Sequence, residues 1–531
     1  MFTFRKSRGS FGTTSSVGKV PNKWLIAIVV IVPTFIEVVD TSVVNVALDH
    51  IRGSLSAGID EATWAITAYL VSNAIVIPLS GWLSRVFGRR NYLIFSISLF
   101  TVSSFFCGMA WNLSSLIFFR VLQGIGGGAL QPISQTILLE TFPPKEHGMA
   151  MAVFGIGVIC APILGPILGG WITDNWSWHW IFFINIPIGM ASIGLVAAFI
   201  KDPTYLNRVA LNRIDYWGLI LISLGLGCLQ VVLDKGQQED WFSSSFIITL
   251  AALAVASLVA FIIVELKSKE PVVDLRVFRN FAFASGNAIM FITFFVLFGT
   301  IVLMPIYMQK LLGYNALLAG QAIAAGGIAM IFVMPVIGKL VTKVSPKVIL
   351  LAGLVVCAYS TWILTGINLS TTFEYMVWAR ALQGVGLGMV FITLTGLTLS
   401  SVPKHEMGNA TAVYNLLRNL GGSFGVAFVT TVIAQRSQYH QARYLEQANP
   451  YDPQYQAALA HIGSLPQVRA AGDASAAMTA HAVIFQKALV QASLFSFVDT
   501  FFLCTVLLIA IIPLVLFLRR PKYQQDPIAA H

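Results

Sequence analysis

Long apolar stretches separated by short polar segments run through almost the whole chain. Each stretch holds about 20 mostly apolar residues, which is the length an α-helix needs to cross the hydrocarbon core of a bilayer. The fourteen stretches begin near Trp24, Glu61, Asn91, Leu113, Met149, Trp180, Asp215, Ser244, Phe281, Ala316, Lys347, Phe373, Asn409 and Ser493. The pattern predicts an all-α polytopic membrane protein with fourteen transmembrane helices.

Composition supports this assignment and excludes other classes. Of the 531 residues, 56% are hydrophobic and only 11% are charged, which is too apolar for a soluble protein of this length. The net charge of +10 could suggest nucleic acid, but the basic residues stand at the ends of apolar runs. We therefore expect membrane lipids as surroundings and no nucleic-acid partner. The five cysteines lie inside apolar runs without metal-ligand spacing, so neither a disulfide nor a metal site is expected.

The distribution of lysine and arginine predicts the orientation of the chain. Most of these residues fall in the termini and in alternate loops, and the positive-inside rule then places both termini in the cytoplasm. Residues 1–23 are polar and basic, and the apolar run that follows is too long for a signal-peptide core. We expect a cytoplasmic tail over 1–23 followed by a retained first span.

A glycine-rich phrase inside the fourth stretch indicates that the chain is duplicated. The residues that recur in the same order and spacing are Arg120, Gln123 and Gly124, which return as Arg380, Gln383 and Gly384. The duplication predicts two six-helix bundles over 24–200 and 281–518, with two inserted helices over 214–266. Two parallel six-helix repeats are the architecture of major facilitator transporters.

Two carboxylates lie deep in the predicted first span. Glu37, Asp40 and Thr41 are three and four residues apart, so they share a helix face, which Asn45 continues. Carboxylates inside a membrane usually mark ion or proton pathways. We expect Asp40 and Glu37 to carry protons and Thr41 and Asn45 to line a substrate cavity. The alternative is an Asp40 permanently paired with an arginine to hold two helices together.

Of the residues in the fourth span, Arg120 has the highest free-energy cost of placement inside a membrane. An arginine near the bilayer centre costs between about 2.5 and 17 kcal/mol, so it faces the protein interior or a wet cavity. We expect it to exchange between the acids of span one, favouring the ionised form of the carboxylate that approaches it and so timing proton release. Gln123 is assigned to the cavity beside it. Arg380 has no equally clear acid in span nine.

The second half contributes a polar spot on span thirteen. Asn415 and Arg418 are three residues apart and share a face, and a substrate held between the halves would meet them. Interhelical hydrogen bonding is the alternative role. Arg418 would then need an acid, and Asp499 in span fourteen is the available candidate; it is assigned to the cavity as well.

The segment 81–90 predicts a short turn between spans two and three. It resembles the conserved loop of major facilitator proteins at Gly81, Gly88, Arg89 and Arg90. Arg85 occupies the position where the family usually has an aspartate. The resemblance implies a packing and gating role for the loop, while the substitution puts its charge relay in doubt.

The fifth span carries a glycine- and proline-rich segment, 161–170. It is similar to the motif of the family's proton-driven exporters, in which these residues bend the helix and shape an outward gate. The residues that match are Pro162, Gly165, Pro166, Gly169 and Gly170. A general glycine packing seam is the alternative, because small residues let helix backbones approach closely.

Four further phrases resemble the fourteen-span drug:proton antiporters of the EmrB/QacA type. They lie at 40–48, 178–189, 271–275 and 415–423. The resemblance implies the major facilitator fold in a bacterial inner membrane. It also implies export of hydrophobic drug-like molecules in exchange for protons, with the proton gradient as the only energy source and no cofactor.

One outer segment, 435–491, is rich in alanine and glutamine and can form amphipathic helices. Its length favours EmrB-like pumps, which the resemblance links to a periplasmic EmrA-like adaptor and an outer-membrane channel. A solvated helical hairpin that merely connects two spans is the alternative.

Other functions of the same fold stay open. ATP hydrolysis is not expected, because the chain has no phosphate-binding loop of the Walker type. A nutrient facilitator would share the fold without depending on a proton gradient, and a lipid or lysolipid translocase would use the same residues. A membrane enzyme would need a catalytic cluster at the interface, and none stands out.

Overall fold

The computed structural model describes residues 22–143, 146–202, 215–268, 270–447, 451–465 and 473–518, and within them the regular structure is helical. The helices are α1 (Lys23–Ser54), α2 (Ile59–Ala62), α3 (Trp64–Phe87), α4 (Arg89–Gly108), α5 (Leu113–Gly127), α6 (Leu130–Thr141), α7 (His147–Asn175), α8 (Trp180–Phe183), α9 (Asn185–Phe199), α10 (Tyr216–Lys235), α11 (Ser245–Lys267), α12 (Phe281–Lys310), α13 (Ala316–Leu340), α14 (Pro346–Ile363), α15 (Phe373–Leu399), α16 (Met407–Gln447), α17 (Pro453–Gly463), α18 (Asp473–Ile511) and α19 (Leu514–Phe517). Fourteen helical segments in these residues are long and apolar enough to cross a membrane, which confirms the predicted number.

Some of the sequence predictions fall where the structure gives no description. Residues 1–21 of the expected tail and residue 214 of the expected insert lie outside the described residues, as do 448–450 and 466–472 of the outer segment. The side chain of Pro166 also lies outside them.

The outer segment is largely a continuation of two spanning helices. α16 runs unbroken to Gln447, and α18 begins at Asp473, so the helix of span fourteen starts about five and a half turns before the predicted Ser493. Residues 435–447 contain neither glycine nor proline, the two residues that most strongly end a helix. The described parts of the segment are therefore largely helical, and two of its helices are continuous with the spans.

The fourth span is irregular over two residues at its glycine run, Gly128 and Ala129, although their backbone stays in the right-handed helical region. α5 ends at Gly127 and α6 begins at Leu130, and the glycines just before this irregularity touch three neighbouring helices. A Cβ on Gly126 would lie 2.5 Å from the Phe100 amide nitrogen of α4, and one on Gly127 would lie 2.7 Å from the Tyr69 hydroxyl of α3. These glycines bring Arg120 against the first span.

Helix α7 packs along α1 through part of its predicted motif. A Cβ on Gly165 would collide with Ser42, and one on Gly169 would lie 3.1 Å from Val43 Cγ1, so both positions need glycine for close approach. Gly170 and Pro162 lie on another face: a Cβ on Gly170 meets no atom within 4 Å, and Pro162 is exposed, so the gating role of the motif stays a prediction. The helix turns these two residues away from α1.

The loop between α3 and α4 forms the predicted tight turn. Gly88 has φ 84° and ψ 149°, a backbone conformation that essentially only glycine adopts. Arg89 forms a buried ion pair with Glu140 of α6, and Arg90 donates to the Ala197 carbonyl oxygen of α9 at 2.7 Å. A Cβ on Gly81 would lie 2.6 Å from the Gly408 carbonyl oxygen, so this end of α3 touches α16.

The two halves meet mainly at the end of the spans that carries Arg89 and Lys23, called here the basic end. Thr136 and Thr411 form a hydrogen bond of 2.5 Å there, and Asn415 donates to Gln135 Oε1 at 2.7 Å. Toward the other end, no direct hydrogen bond between α1–α9 and α12–α18 lies beyond the level of Arg418 in the described residues. The halves are thus closed together at the basic end.

The inserted helices lie at the edge of the bundle. α10 packs on α3 and α16, and Gln230 donates to Ser423 of α16 at 3.0 Å. α11 packs chiefly on α10 and leaves a broad apolar face exposed, which includes Leu253, Val255, Val259 and Ile263. An uncovered face of this kind is suited to contact with lipid.

Candidate functional site

A buried ion pair joins the first and fourth spans. Arg120 donates from Nη1 to Asp40 Oδ2 at 2.5 Å, and the two residues are 0% and 1% exposed. Arg120 also donates from Nε to the Ala65 carbonyl oxygen and lies 4.2 Å from the centre of the Tyr69 ring. Of the two acids expected to meet Arg120, the structure therefore places Asp40 against it.

Asp40 is held by neutral donors as well. Gln123 Nε2 and Asn185 Nδ2 both donate to Asp40 Oδ1 at 2.8 Å, and the Asn185 amide also donates to Ser104 Oγ at 3.0 Å. The carboxylate therefore accepts hydrogen bonds from helices α5 and α9 while its own helix is α1. Loss of the Asp40 charge would weaken bonds to two neighbouring helices at once, because hydrogen bonds to a charged acceptor are stronger than those to a neutral one.

Glu37 forms a second cluster one turn closer to the basic end. Its Oε1 accepts from the Tyr69 hydroxyl at 3.1 Å and from Asn73 Nδ2 at 3.2 Å, and its Oε2 accepts from Gln131 Nε2 at 2.8 Å. No arginine or lysine forms an ion pair with Glu37 among the described residues. Glu37 is therefore a buried carboxylate solvated by neutral groups.

Gln131 connects this cluster to the second half of the molecule. Its Nε2 donates to Glu37, and its Oε1 accepts a hydrogen bond from Arg418 Nη2 of α16. Arg418 is buried and its guanidinium lies 5.6 Å from the centre of the Phe294 ring. A chain of hydrogen bonds thus runs from the span-one acid through Gln131 to an arginine of the opposite half.

The expected pairing of Arg418 with Asp499 is wrong. Asp499 Oδ2 accepts from Arg436 Nε at 2.6 Å and lies 2.7 Å from His440 Nε2, away from the basic end. Arg436 stands five turns beyond Arg418 on the same helix, because α16 is 41 residues long. Asp499 is consequently not part of the Arg418 cluster.

The remaining cavity candidates lie beside these clusters. The Thr41 hydroxyl donates to the Glu37 carbonyl oxygen of its own helix at 3.2 Å and is half-buried. Asn45 is exposed one turn further along α1. Asn415 and Arg418 face α6 together, as their spacing predicted, with Asn415 bound to Gln135.

The second half repeats the first-half network with one substitution. Arg380 Nη1 donates to Gln383 Oε1 and, at 3.3 Å, to Thr300 Oγ1, while Gln383 Nε2 donates to Thr300 Oγ1 at 3.1 Å. Thr300 therefore takes the place that Asp40 occupies in the first half. The expectation that span nine offers Arg380 no clear acid agrees with this arrangement.

Arg85, at the basic end of the molecule, is surrounded by carboxylates. The half-buried side chain lies within electrostatic reach of Asp274, Glu270 and Glu406. The Asp274 backbone is itself fixed to α16, because its amide donates to Asn409 Oδ1 at 3.0 Å and its carbonyl oxygen accepts from Asn409 Nδ2. With arginine instead of the family's aspartate, the loop offers a positive charge to acids at the start of the second half.

Several residues of the site were not singled out from the sequence. They are Tyr69, Asn73, Gln131, Asn185 and Thr300. Each is a neutral polar residue in a long apolar run, and such residues have no charge to mark them. Gln131 could have been noticed because it lies in the glycine-rich phrase. Thr300 could have been noticed because it follows Asp40 by the same number of residues as Arg380 follows Arg120.

Comparison with known proteins supports a single family. The Major Facilitator Superfamily model matches residues 30–426. The multidrug export protein EmrB of Haemophilus influenzae is 39% identical over 430 residues, which cover 81% of this chain and 84% of that protein. The fatty acid resistance protein FarB of Neisseria gonorrhoeae is 38% identical over 428 residues, with 81% and 84% covered.

A solved structure supports the fold alone. The human organic anion transporter MFSD10 has a TM-score of 0.59 and 12% sequence identity, covering 92% of this chain and 100% of that chain. The matched family model spans both halves and includes every residue of the two Arg–Gln networks. The chain therefore belongs to the major facilitator superfamily and, within it, to the EmrB-like family.

Proposed function

We propose that this chain is a proton-coupled multidrug efflux transporter that exports hydrophobic, drug-like molecules. The single observation that carries the proposal is the buried Asp40–Arg120 pair in an EmrB-like chain. Placing a protonatable group deep in a membrane costs free energy, and such groups usually serve ion or substrate transport. A transporter, rather than an enzyme, accords with this family.

Transport would proceed by alternating access between the two six-helix halves, with α10 and α11 as an insert. In this mechanism a proton taken up by Asp40 weakens its bonds to Arg120, Gln123 and Asn185 and loosens the contact of α1 with its neighbours. A change in the charge or position of Glu37 would reach the second half through its hydrogen bond with Gln131 and the hydrogen bond of Gln131 with Arg418. Rocking of the halves around a central site is the usual consequence in such transporters.

The orientation belongs to the proposal as well. We assign the basic end and both termini to the cytoplasm and the molecule to a bacterial inner membrane, because the loops rich in lysine and arginine gather there. The closed basic end then corresponds to a state shut toward the cytoplasm. When the molecule opens toward the cytoplasm, the halves would have to separate at contacts such as Gly81 with Gly408 and Thr136 with Thr411.

Proton coupling can be tested with purified protein in proteoliposomes. Vesicles with an acidic lumen should accumulate a hydrophobic fluorescent dye, and a protonophore should release it. A fatty acid offered in parallel tests whether amphiphilic lipids are also carried, as the name of the FarB relative suggests. Dye movement that is unaffected by the pH gradient would instead indicate a facilitator.

We further propose that the outer segment docks a periplasmic adaptor, which would in turn contact an outer-membrane channel. The ends of α16 and α18, together with α17, project from the spans and expose large apolar side chains. These are Tyr439, Leu445, Tyr451, Leu465, Met478 and Phe485. Exposed apolar groups gathered on one projecting segment are suited to a protein partner.

Deletion of residues 440–485 is expected to abolish co-purification with a membrane-anchored coiled-coil adaptor while leaving membrane insertion intact. The Arg436–Asp499 ion pair lies outside the deletion and would still join α16 to α18. Pull-down from detergent extracts measures the effect, and a glycine-serine linker of equal length in place of 440–485 serves as the matched control. Adaptor binding that survives both changes would place the interface elsewhere.

A further inference from the structure

The two Arg–Gln networks of the duplicated chain differ in charge. In the first half, Arg120 and Gln123 share the Asp40 carboxylate. In the second half, Arg380 and Gln383 share the Thr300 hydroxyl, which has no charge. In both halves the arginine and the glutamine also bond to each other, so the acid of one copy has been replaced by a neutral group in the other.

Arg380 is poorly compensated in its surroundings. It is 5% exposed, its Nε is buried without a hydrogen-bond partner, and no carboxylate of the described residues lies within ion-pair distance. Arg120 also has one buried nitrogen without a hydrogen-bond partner, Nη2, but it has the Asp40 carboxylate, the Ala65 carbonyl oxygen and the faces of Tyr69 and Phe182 around it. An unpaired charge is strongly disfavoured in a membrane interior.

The donors and acceptors around Arg380 are also unequal in number. A guanidinium carries five N–H donors and the Gln383 amide carries two more. The side-chain acceptors that meet them are Gln383 Oε1 and Thr300 Oγ1, and the Thr300 hydroxyl itself donates to the Leu297 carbonyl oxygen at 2.9 Å. The site therefore has an excess of donors and one net positive charge, which is the chemistry that recognises an anion.

We propose that Arg380, Gln383 and Thr300 form a binding site for a small monovalent anion, which supplies the negative charge that Asp40 supplies in the first half. Chloride and a carboxylate head group share the required chemistry. The anion would be held by N–H groups of Arg380 and Gln383, next to the Thr300 hydroxyl, whose own hydrogen is donated to the Leu297 carbonyl oxygen.

Thermal unfolding of the purified full-length protein tests this proposal without any transport measurement. At constant ionic strength, replacing gluconate by chloride or formate should raise the Tm of the wild-type protein in a saturable manner. Thr300→Asp should remove that dependence, because the new carboxylate would neutralise Arg380 from within. Thr300→Ser keeps the hydroxyl and is the matched control, in which the anion dependence should persist.

The arms of the experiment separate the two sources of the anion. A rise in Tm with chloride or formate supports an inorganic or small free anion, whereas a rise with decanoate alone supports the carboxylate of a transported amphiphile. If Thr300→Asp does not fold, Arg380→Gln replaces it and should likewise be insensitive to anions. A wild-type Tm that no anion shifts, or a shift that persists in Thr300→Asp or Arg380→Gln, would overturn the proposal.

Discussion

Asp40→Asn is expected to abolish proton-driven accumulation of substrate while leaving exchange of labelled for unlabelled substrate across the same protein. Asparagine has nearly the size of aspartate and can still accept hydrogen bonds from Gln123 and Asn185, but it cannot take up or release a proton. Arg120 would also keep Gln123 Oε1, the Ala65 carbonyl oxygen and the face of the Tyr69 ring as partners. We therefore expect the variant to fold and to lose coupling.

Proteoliposomes with and without an imposed pH gradient measure both activities. Asp499→Asn is the matched control, because Asp499 pairs with Arg436 outside the central cluster and its loss should leave gradient-driven uptake in place. An Asp40→Asn protein that transports at the wild-type rate with an unchanged pH dependence would mean that Asp40 does not carry the proton. Permanent pairing of two helices would then be the role of Asp40.

Arg89→Ala is expected to be the most destabilising of the simple loop substitutions. It leaves Glu140 as a buried carboxylate without its ion-pair partner, and breaking a buried pair in this way costs about 3–5 kcal/mol. Replacing both residues by apolar ones of similar size, Arg89→Met with Glu140→Leu, should recover most of the loss, because no unpaired charge stays in the interior. The Tm of the purified protein reports both effects.

A second ion pair at the same end of the molecule provides the control. Lys23 donates to Glu146 at 2.5 Å, but both side chains are more than a third exposed, and a pair of this kind contributes only about 0–1 kcal/mol. Lys23→Ala should thus shift Tm little. Equal shifts for Lys23→Ala and Arg89→Ala, or no recovery in the double variant, would contradict the burial argument.

The fold and the first-half ion pair could be predicted from sequence because both depend on strong signals. Apolar runs of about 20 residues specify spanning helices, and charges inside such runs are rare enough to draw attention. Arg120 and Asp40 are both of this kind, and the structure brings them together. The duplicated phrase gives Arg380 and Gln383 the same spacing as Arg120 and Gln123, and the structure joins Arg380 to Gln383 by a hydrogen bond.

The partner of Arg418 could not be predicted, because sequence spacing gives the face of a helix but not its depth relative to another helix. α16 is 41 residues long, and Asp499 of α18 meets it at Arg436, about 27 Å along the helix from Arg418 at 1.5 Å per residue. The actual contact of Arg418 is Gln131, a neutral residue. Neutral amides in apolar runs carry no periodic or charge signal, so only the packed structure reveals them.

The inserted pair of helices makes the two flanks of the transporter unequal. On one flank α10 lies along the junction of α3 and α16, and Gln230 fastens it to Ser423. On the other flank α7 and α13 pack directly on each other, with Gly148 against Val341 and Gly155 against Met334. The two flanks therefore differ in what separates the junction of the halves from the lipid: α10 covers the junction on one flank, whereas α7 and α13 themselves form it on the other.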